Sequence, residues 1–438
     1  MGRNRLPIES RSTASVFFRV LDYRWRLVCM LWIVGFLNYA DRQAIFSVFP
    51  LLRTQLHLSM TELGLVASVF AWVYGVAAPL AGYLVDRIRR TTAIIAGLQC
   101  WSWVCTATAL SSGLWSLVFM RCAMGLGESL YFPASISIMS DYHGPRSRSR
   151  ALSLHQTSVY AGTIAGGFLA GWIADSFDWR WPFVCFGGAG ILFSLFLMRF
   201  LIEPERGKAD QRIGANNCPS QPMPFGAFVS FAAKSPAVWL LMLAFVCANF
   251  VAVVLLVWMP TYLYQTFHFS LAISGLTATA FAQIGSIAGT AFGGWLADRL
   301  TRKRSDGRVL VQCAGVVMGA PFVFLCSDLR SIPVVLAALA AWGFFKGLYD
   351  ANLFAALYDN IPISVRGAAT GWMNTMGWLG GGGLAPLLVG IAATRFGLGT
   401  AMSFVSIVYL VAAVFLIAAA RAQSKTLLPS IPDLPRST

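Results

Sequence analysis

The sequence predicts an all-α membrane protein: twelve transmembrane helices in two pseudo-symmetric six-helix bundles, with the N- and C-termini cytoplasmic. Three observations carry this. Of 438 residues, 57% are hydrophobic and only 12% charged, with mean hydropathy +0.66, whereas soluble domains carry about 25% charged residues. The apolar blocks are long enough for helices, which need about 20 residues to cross a bilayer, and too long for barrel strands of about 9 to 11. The two halves of the chain also repeat one another at offsets of 211 to 218 residues.

Taken in order, residues 1–26 form a cytoplasmic segment with six arginines and no separate apolar core, so the first helix is expected to serve as its own insertion signal. Apolar runs bounded by Pro, Gly and charge clusters then predict spans near 27–52, 61–85, 91–112, 114–141, 149–175 and 180–201,. The N-terminal bundle is thus 27–202. A polar linker, 203–236, contains Glu203-Pro204-Glu205-Arg206-Gly207-Lys208 and a proline-rich piece from Pro219 to Pro224. The C-terminal bundle, 237–421, holds spans near 237–266, 271–297, 308–327, 332–360, 365–394 and 399–420, and 422–438 is a cytoplasmic tail.

With the N-terminus inside, 26 of the 33 Lys and Arg fall on cytoplasmic segments, and only Arg53, Arg180, Arg330 and Arg395 fall outside. Retention of positive charge on the cytoplasmic side sets this orientation. The net charge of +15 is therefore topological, and nucleic acid is not an expected partner. Nine cysteines without a CxxC pair, and four histidines (His57, His143, His155, His268) without ligand spacing, predict neither a disulfide framework nor a metal site.

The repeat is visible in particular residues. Gln55-Leu56-His57-Leu58-Ser59 is echoed by Thr266-Phe267-His268-Phe269-Ser270, and Gly82-Tyr83-Leu84-Val85-Asp86-Arg87 by Gly294-Trp295-Leu296-Ala297-Asp298-Arg299. Further on, an offset of 218 pairs Asp141 with Asp359 and Arg148 with Arg366. An even number of spans per half makes the repeats parallel, with a site expected between them near the midplane.

Charge inside apolar spans marks that site. Asn38-Tyr39-Ala40-Asp41-Arg42 puts a carboxylate beside a guanidinium in the first span, where each costs about 2.5 to 3.5 kcal/mol unless it faces a partner or a watery cavity. Asp41 and Arg42 are read as lining a transport path; the alternative is a pair locking the first helix to a neighbour. The fourth span carries Gly125-Leu126-Gly127-Glu128-Ser129-Leu130-Tyr131-Phe132-Pro133. Glu128 sits where the charged form is disfavoured, which suits a proton-exchanging acid; alternatively it pairs structurally with Arg121 or Lys346. Lys346 is the repeat partner of Glu128, so the two could face each other across the cavity, but Lys346 and Asp350 are also spaced to pair on one helix,. Gln156 and Asn374, again 218 apart, are amides suited to substrate hydroxyls or to helix-to-helix hydrogen bonds.

The two Gly-x-Leu-x-Asp-Arg turns, in matching cytoplasmic loops, make the chain resemble the major facilitator superfamily over nearly its whole length, with Arg89 and Thr301 where that family usually has a second glycine. Asp86, Arg87, Asp298 and Arg299 are expected to gate, and the glycines to allow close helix approach. The first- and fourth-span blocks, with Trp179-Arg180-Trp181-Pro182-Phe183, Trp258-Met259-Pro260-Thr261-Tyr262 and Asn374, resemble the anion:cation symporter branch, whose members take up hexuronates and galactonate with protons. That resemblance implies that Arg42 engages the substrate carboxylate, that Asp41 and Glu128 are the protonatable acids, and that Tyr39 and Asn374 are polar cavity residues. Lys346 and Asp350 depart from that branch.

The reading is a secondary transporter, proton-coupled for uptake of a small organic anion by alternating access, in a bacterial inner membrane and functional as a monomer. It needs no cofactor beyond the proton gradient. The rival is an exporter of a lipid, drug or other amphiphile, of the spinster-like kind. No nucleophile–base set and no phosphate-binding loop is present, so neither an enzyme nor ATP coupling is expected.

Overall fold

A computed structural model describes residues 22–205, 235–328, 331–361 and 366–426. Most of the predicted N-terminal segment, linker and tail, with the Pro219–Pro224 piece and Arg330, lie outside the described residues.

The described chain is helical. Asp22 starts α1 (Tyr23–Ser47) by accepting the Arg24 amide, and a break at Val48, ahead of Pro50, separates it from α2 (Phe49–Gln55). His57 then takes a left-handed turn (φ 53°) and Ser59 caps α3 (Met60–Val85). In that cap the Glu62 amide donates to Ser59 Oγ, and Ser59 N donates to Glu62 Oε2, so two orphan donors are satisfied reciprocally. The second half repeats the turn: α9 (Pro236–Phe267) ends at His268 (φ 53°), and Ser270 caps α10 (Leu271–Thr301). Between these come α4 (Arg90–Thr108), α5 (Leu114–Ser129), α6 (Tyr131–Tyr142), α7 (Pro145–Ser176) and α8 (Trp181–Phe200). After α10 follow α11 (Gly307–Asp328), α12 (Ile332–Asp350), α13 (Leu353–Tyr358), α14 (Arg366–Met376), a π-helical turn (Gly377–Gly382), α15 (Gly383–Phe396), α16 (Leu398–Phe404) and α17 (Ser406–Thr426).

Among the described residues, eight helical stretches are long and apolar enough to cross a membrane: α3, α8, α9, α10, Gly307–Ser327, Ile332–Tyr358, Ala368–Phe396 and Leu398–Gln423. The continuous run expected near 114–141 is instead split at Leu130 into α5 and α6, each shorter than a crossing. α1 falls short of the criterion with Arg24, Arg26, Asp41 and Arg42 in it.

In the first half α1 packs on α7, α3 on α5 and α4 on α8; in the second, α12 packs on α10 and α11, and α9 on α17. The halves meet where α3 packs on α15, α7 on α10 and α1 on α9. At the end that carries the His57 and His268 turns, this meeting is a seam of glycines. Gly64 faces Pro386 and Leu387, Gly390 faces Met60 and Thr61, Gly167 faces Gly275, and Gly171 faces Leu271 and Ala272. Asp175 of α7 adds a cap across the seam, its two carboxylate oxygens accepting the Leu271 and Ala272 amides of α10 at 3.2 and 3.0 Å. Orphan amides and the positive end of a helix favour a carboxylate there.

The opposite end corrects the sequence reading of two glycines. At Gly82 and Gly294 an added Cβ would meet nothing within 4 Å, so neither serves close helix approach in this conformation, where the halves are apart at that end. The two copies of the motif also differ. Asp86 and Arg87 follow the end of α3, whereas Asp298 and Arg299 are still helical in α10.

Candidate functional site

Between the halves lies a cavity of about 460 Å³, walled by α1, α3, α6, α9, α14 and the π turn, with Tyr39, Tyr74, Phe132, Asn249, Asn374 and Trp378 among its lining residues. α3 contributes the ring of Tyr74 and, a turn or two on, Ala78, Pro79 and Gly82. The π turn projects Trp378 toward α3, its ring 5.1 Å from that of Tyr74. Asn249 donates to the Gly377 carbonyl at 2.7 Å, which fixes the start of the wider turn.

Arg42 lies behind the cavity wall, enclosed by the lining rings of Tyr39, Tyr74 and Trp378. Its Nε donates to Glu128 Oε2 at 3.1 Å, Nη2 donates to the same oxygen, and Nη2 also reaches Asn38 Oδ1 at 3.4 Å. Four rings surround the guanidinium, with centroids 4.7 Å (Phe70), 4.8 Å (Tyr39), 5.2 Å (Tyr74) and 5.5 Å (Trp378) away. Ring faces attract a cation most strongly when it is desolvated, and Arg42 is only 8% exposed and Glu128 1%. The carboxylate neutralises the charge while the rings hold the guanidinium plane, and Tyr39, Tyr74 and Trp378 also line the cavity. A planar fork in that position can accept a second carboxylate if Glu128 gives up its share.

Asp41 lies on the buried side of α1, 2% exposed, with Oδ1 lacking a hydrogen-bond partner among the described residues; Glu128 Oε1 is in the same condition. Arg121, 1% exposed, donates to Met124 Sδ at 3.1 Å, and its guanidinium lies 4.5 Å from the Phe70 centroid. Phe70 is therefore in contact with both buried guanidiniums. Asp41, Arg42, Arg121 and Glu128 form one interacting electrostatic cluster with two formal positive and two formal negative charges.

The second half contributes differently. Lys346 pairs with Asp350 on its own helix, and Glu128 with Arg42, so the two repeat partners are not paired with each other. Tyr160 of α7 lies close enough to Lys346 and Asp350 to interact electrostatically. Gln156 is exposed on α7 without a hydrogen bond among the described residues, while Asn374 lies on the cavity wall.

Of the expected gating residues, Arg87, Asp298 and Arg299 make contacts inside their own halves. Arg87 donates to the Tyr83 carbonyl at 3.0 Å and covers its ring; Asp298 lies 3.9 Å from Arg308; Arg299 lies over Trp295. The stronger pairs at that end were missed from sequence. Arg90 pairs with Asp141 and with Glu203 (2.9 Å), and Arg308 with Asp359 (2.7 Å). The signal was available, since Arg308 follows Arg90 by the same 218 residues that relate Asp359 to Asp141. Phe70, Tyr74 and Trp378 carried no such signal, because an aromatic residue inside an apolar run reads as packing.

This arrangement, helices in two like sets around a cavity with a buried charge cluster behind its wall, defines a membrane transporter. The profile of the Major Facilitator Superfamily matches residues 31–383, and the chain belongs to that family: a multi-pass secondary transporter, not an enzyme. It is 26% identical to the hexuronate transporter of Bacillus subtilis, over 85% of this chain and 88% of that one. It is 24% identical to the D-galactonate transporter of Escherichia coli O6:H1, over 89% of this chain and 94% of that one. In fold it is similar to a bacterial homologue of the human lysosomal transporter Spinster in its inward-facing, unoccupied conformation, with TM-score 0.82 and 21% identity over 93% of this chain and 99% of that one.

Proposed function

We propose that this chain takes up a small organic anion, such as a sugar acid, together with protons, by rocking two six-helix halves (27–202 and 237–421) about the midplane cavity. In this reading twelve spans cross a bacterial inner membrane with both termini cytoplasmic, and the monomer suffices. Asp86, Arg87, Asp298 and Arg299 act at the gate.

The observation that carries the reading is Arg42, a guanidinium directly behind the cavity-lining rings of Tyr39, Tyr74 and Trp378, whose carboxylate partner, Glu128, is an acid able to take a proton. Protonation of Glu128 withdraws its charge and frees the fork for a substrate carboxylate, so the anion binds best after the proton. Asp41, in the same cluster, is the second proton site. Tyr39 and Asn374 supply hydrogen bonds from the cavity wall; Lys346, with Gln156, supplies polar contacts from its far side. The transport of hexuronate and D-galactonate by the two relatives named above supports the substrate class.

A second reading, proton-coupled export of an amphiphile, rests on the apolar part of the lining, Ala78, Pro79, Phe132, Pro133 and Phe245. Purified protein in proteoliposomes separates the two. Accumulation of a labelled sugar acid under an inward proton gradient, abolished by Arg42→Ala, is the expected result. Movement of a lipid or amphiphile with no carboxylate uptake would sink the symport reading. Glu128→Gln is expected to lose gradient-driven accumulation but keep counterflow of substrate; full accumulation in that variant would remove Glu128 from coupling.

A further inference from the structure

We infer that the groove between α1 and α8 binds an anionic phospholipid, the phosphate on Arg26 and Arg199 and an acyl chain along the adjoining apolar furrow. Two cavities lie end to end on this outer face, away from the central site. One, of about 360 Å³, is lined by Tyr23, Arg26, Arg199, Phe200 and Ile202; the other, of about 430 Å³, by Cys29, Ile33, Ala189, Leu192 and Phe193. Met30 and Phe196 line both, so the polar head of the groove continues directly into its apolar part.

The charges fit one kind of occupant. Arg199 stands in the last turn of α8, which is long and apolar enough to cross a membrane, and Arg26 in the first turn of α1, tied to that end of α8 through Tyr23, which sets both guanidiniums at the level where phosphates lie. Neither makes an ion pair with a described residue, and Arg26 Nε is buried without a hydrogen-bond partner. The nearby carboxylates are already engaged: Asp22 with Arg24, and Glu203 with Arg90. Among the described residues, no carboxylate lines the head of the groove.

Its floor is ordered. Tyr23 Oη donates to the Phe200 carbonyl at 3.2 Å and accepts the Ile202 amide at 2.6 Å, tying the start of α1 to the end of α8, and the Arg26 guanidinium lies 5.5 Å from the Tyr23 ring. A guanidinium pair offers a phosphate several charge-assisted donors. The furrow beyond it, lined by side chains without polar groups apart from the Cys29 thiol, accepts a hydrocarbon chain. A zwitterionic headgroup would bring its own cation to the same two arginines, so the net-negative lipid is preferred.

The test is lipid retention by the full-length protein, reconstituted in phosphatidylcholine with or without phosphatidylglycerol, extracted in mild detergent and read by native mass spectrometry. The expected result is bound phosphatidylglycerol in clear excess over its share of the vesicle. That excess should be lost in Arg26→Gln/Arg199→Gln and kept in Arg150→Gln, which removes an exposed arginine elsewhere on the same end. Ala189→Phe, which fills the furrow and leaves both charges, should also reduce it. Equal retention of the two lipids, or an unchanged excess in the double variant or in Ala189→Phe, would overturn the assignment, as would equal loss in Arg150→Gln. The readout does not involve transport, so it stands or falls separately from the symport proposal.

Discussion

Arg42 illustrates why a residue's type decides more than its charge. The guanidinium makes two bonds to one carboxylate oxygen while lying among four ring faces, and an ammonium could not reproduce that planar fork. Arg42→Lys is expected to raise the KM for a carboxylate substrate by about tenfold or more, a loss of at least about 1.4 kcal/mol, in an uptake assay that leaves expression unchanged. Glu203 gives a prediction in pH. Partial burial pushes its carboxyl up, but hydrogen bonds from Thr91 and Arg90 more than reverse this and hold it below the ordinary range. A depressed folded value means that Glu203 adds stability above the unfolded carboxyl value, about 4.3, and that this is lost as pH falls through the folded value. Glu203→Gln should therefore flatten the acid limb of a thermal-unfolding profile without changing its alkaline limb. At this scale the sequence named Arg42, Asp41 and Glu128, because charge in an apolar run is conspicuous. It did not give their partners, since which side chains meet depends on helix rotation, and Phe70, Tyr74 and Trp378 are ordinary constituents of apolar helices.

Helix starts were legible where they depend on local chemistry. Ser59 and Ser270 precede α3 and α10 at matching positions, each after a histidine in the left-handed region, and both were visible as an echoed five-residue pattern. Ser59→Ala removes the acceptor of the Glu62 amide, and the expected cost is about 1 kcal/mol, read as a lowered unfolding temperature in detergent. Helix interruptions were not legible in the same way. The break at Leu130 and the π turn at Gly377–Gly382 lie inside apolar stretches whose periodicity continues across them. The glycines of the π turn are spent on packing, Gly381 against Val246 and Gly377 against Phe245, and the sequence does show them as a cluster.

Across the whole molecule, the glycine seam and the Asp175 cap hold one end closed while the other stands open. An added Cβ at Gly167 would lie 2.8 Å from the Gly275 carbonyl oxygen, with backbone on both sides and no flexible side chain to yield. Gly167→Leu is therefore expected to disfavour this conformation by roughly 1 to 3 kcal/mol. The check is a cysteine at Ser47, which is 1% exposed and donates to the Gly167 carbonyl. It should become reactive to a membrane-impermeant thiol reagent in the Gly167→Leu background and stay protected without it. The duplication behind this architecture was readable from offsets alone, but the state in which the halves are caught was not, because both states use the same contacts within each half.

The buried cluster also has an electrical consequence. Asp41, Arg42, Arg121 and Glu128 sum to zero formal charge, so each proton gained makes the cluster one unit more positive and each monocarboxylate bound returns one unit. A cycle with one proton per monoanion would move no net charge and would ignore membrane voltage. A cycle that loads both Asp41 and Glu128 would carry one positive charge inward, worth about 2.3 kcal/mol per 100 mV. Uptake measured at fixed pH gradient against an imposed potassium diffusion potential would count the protons.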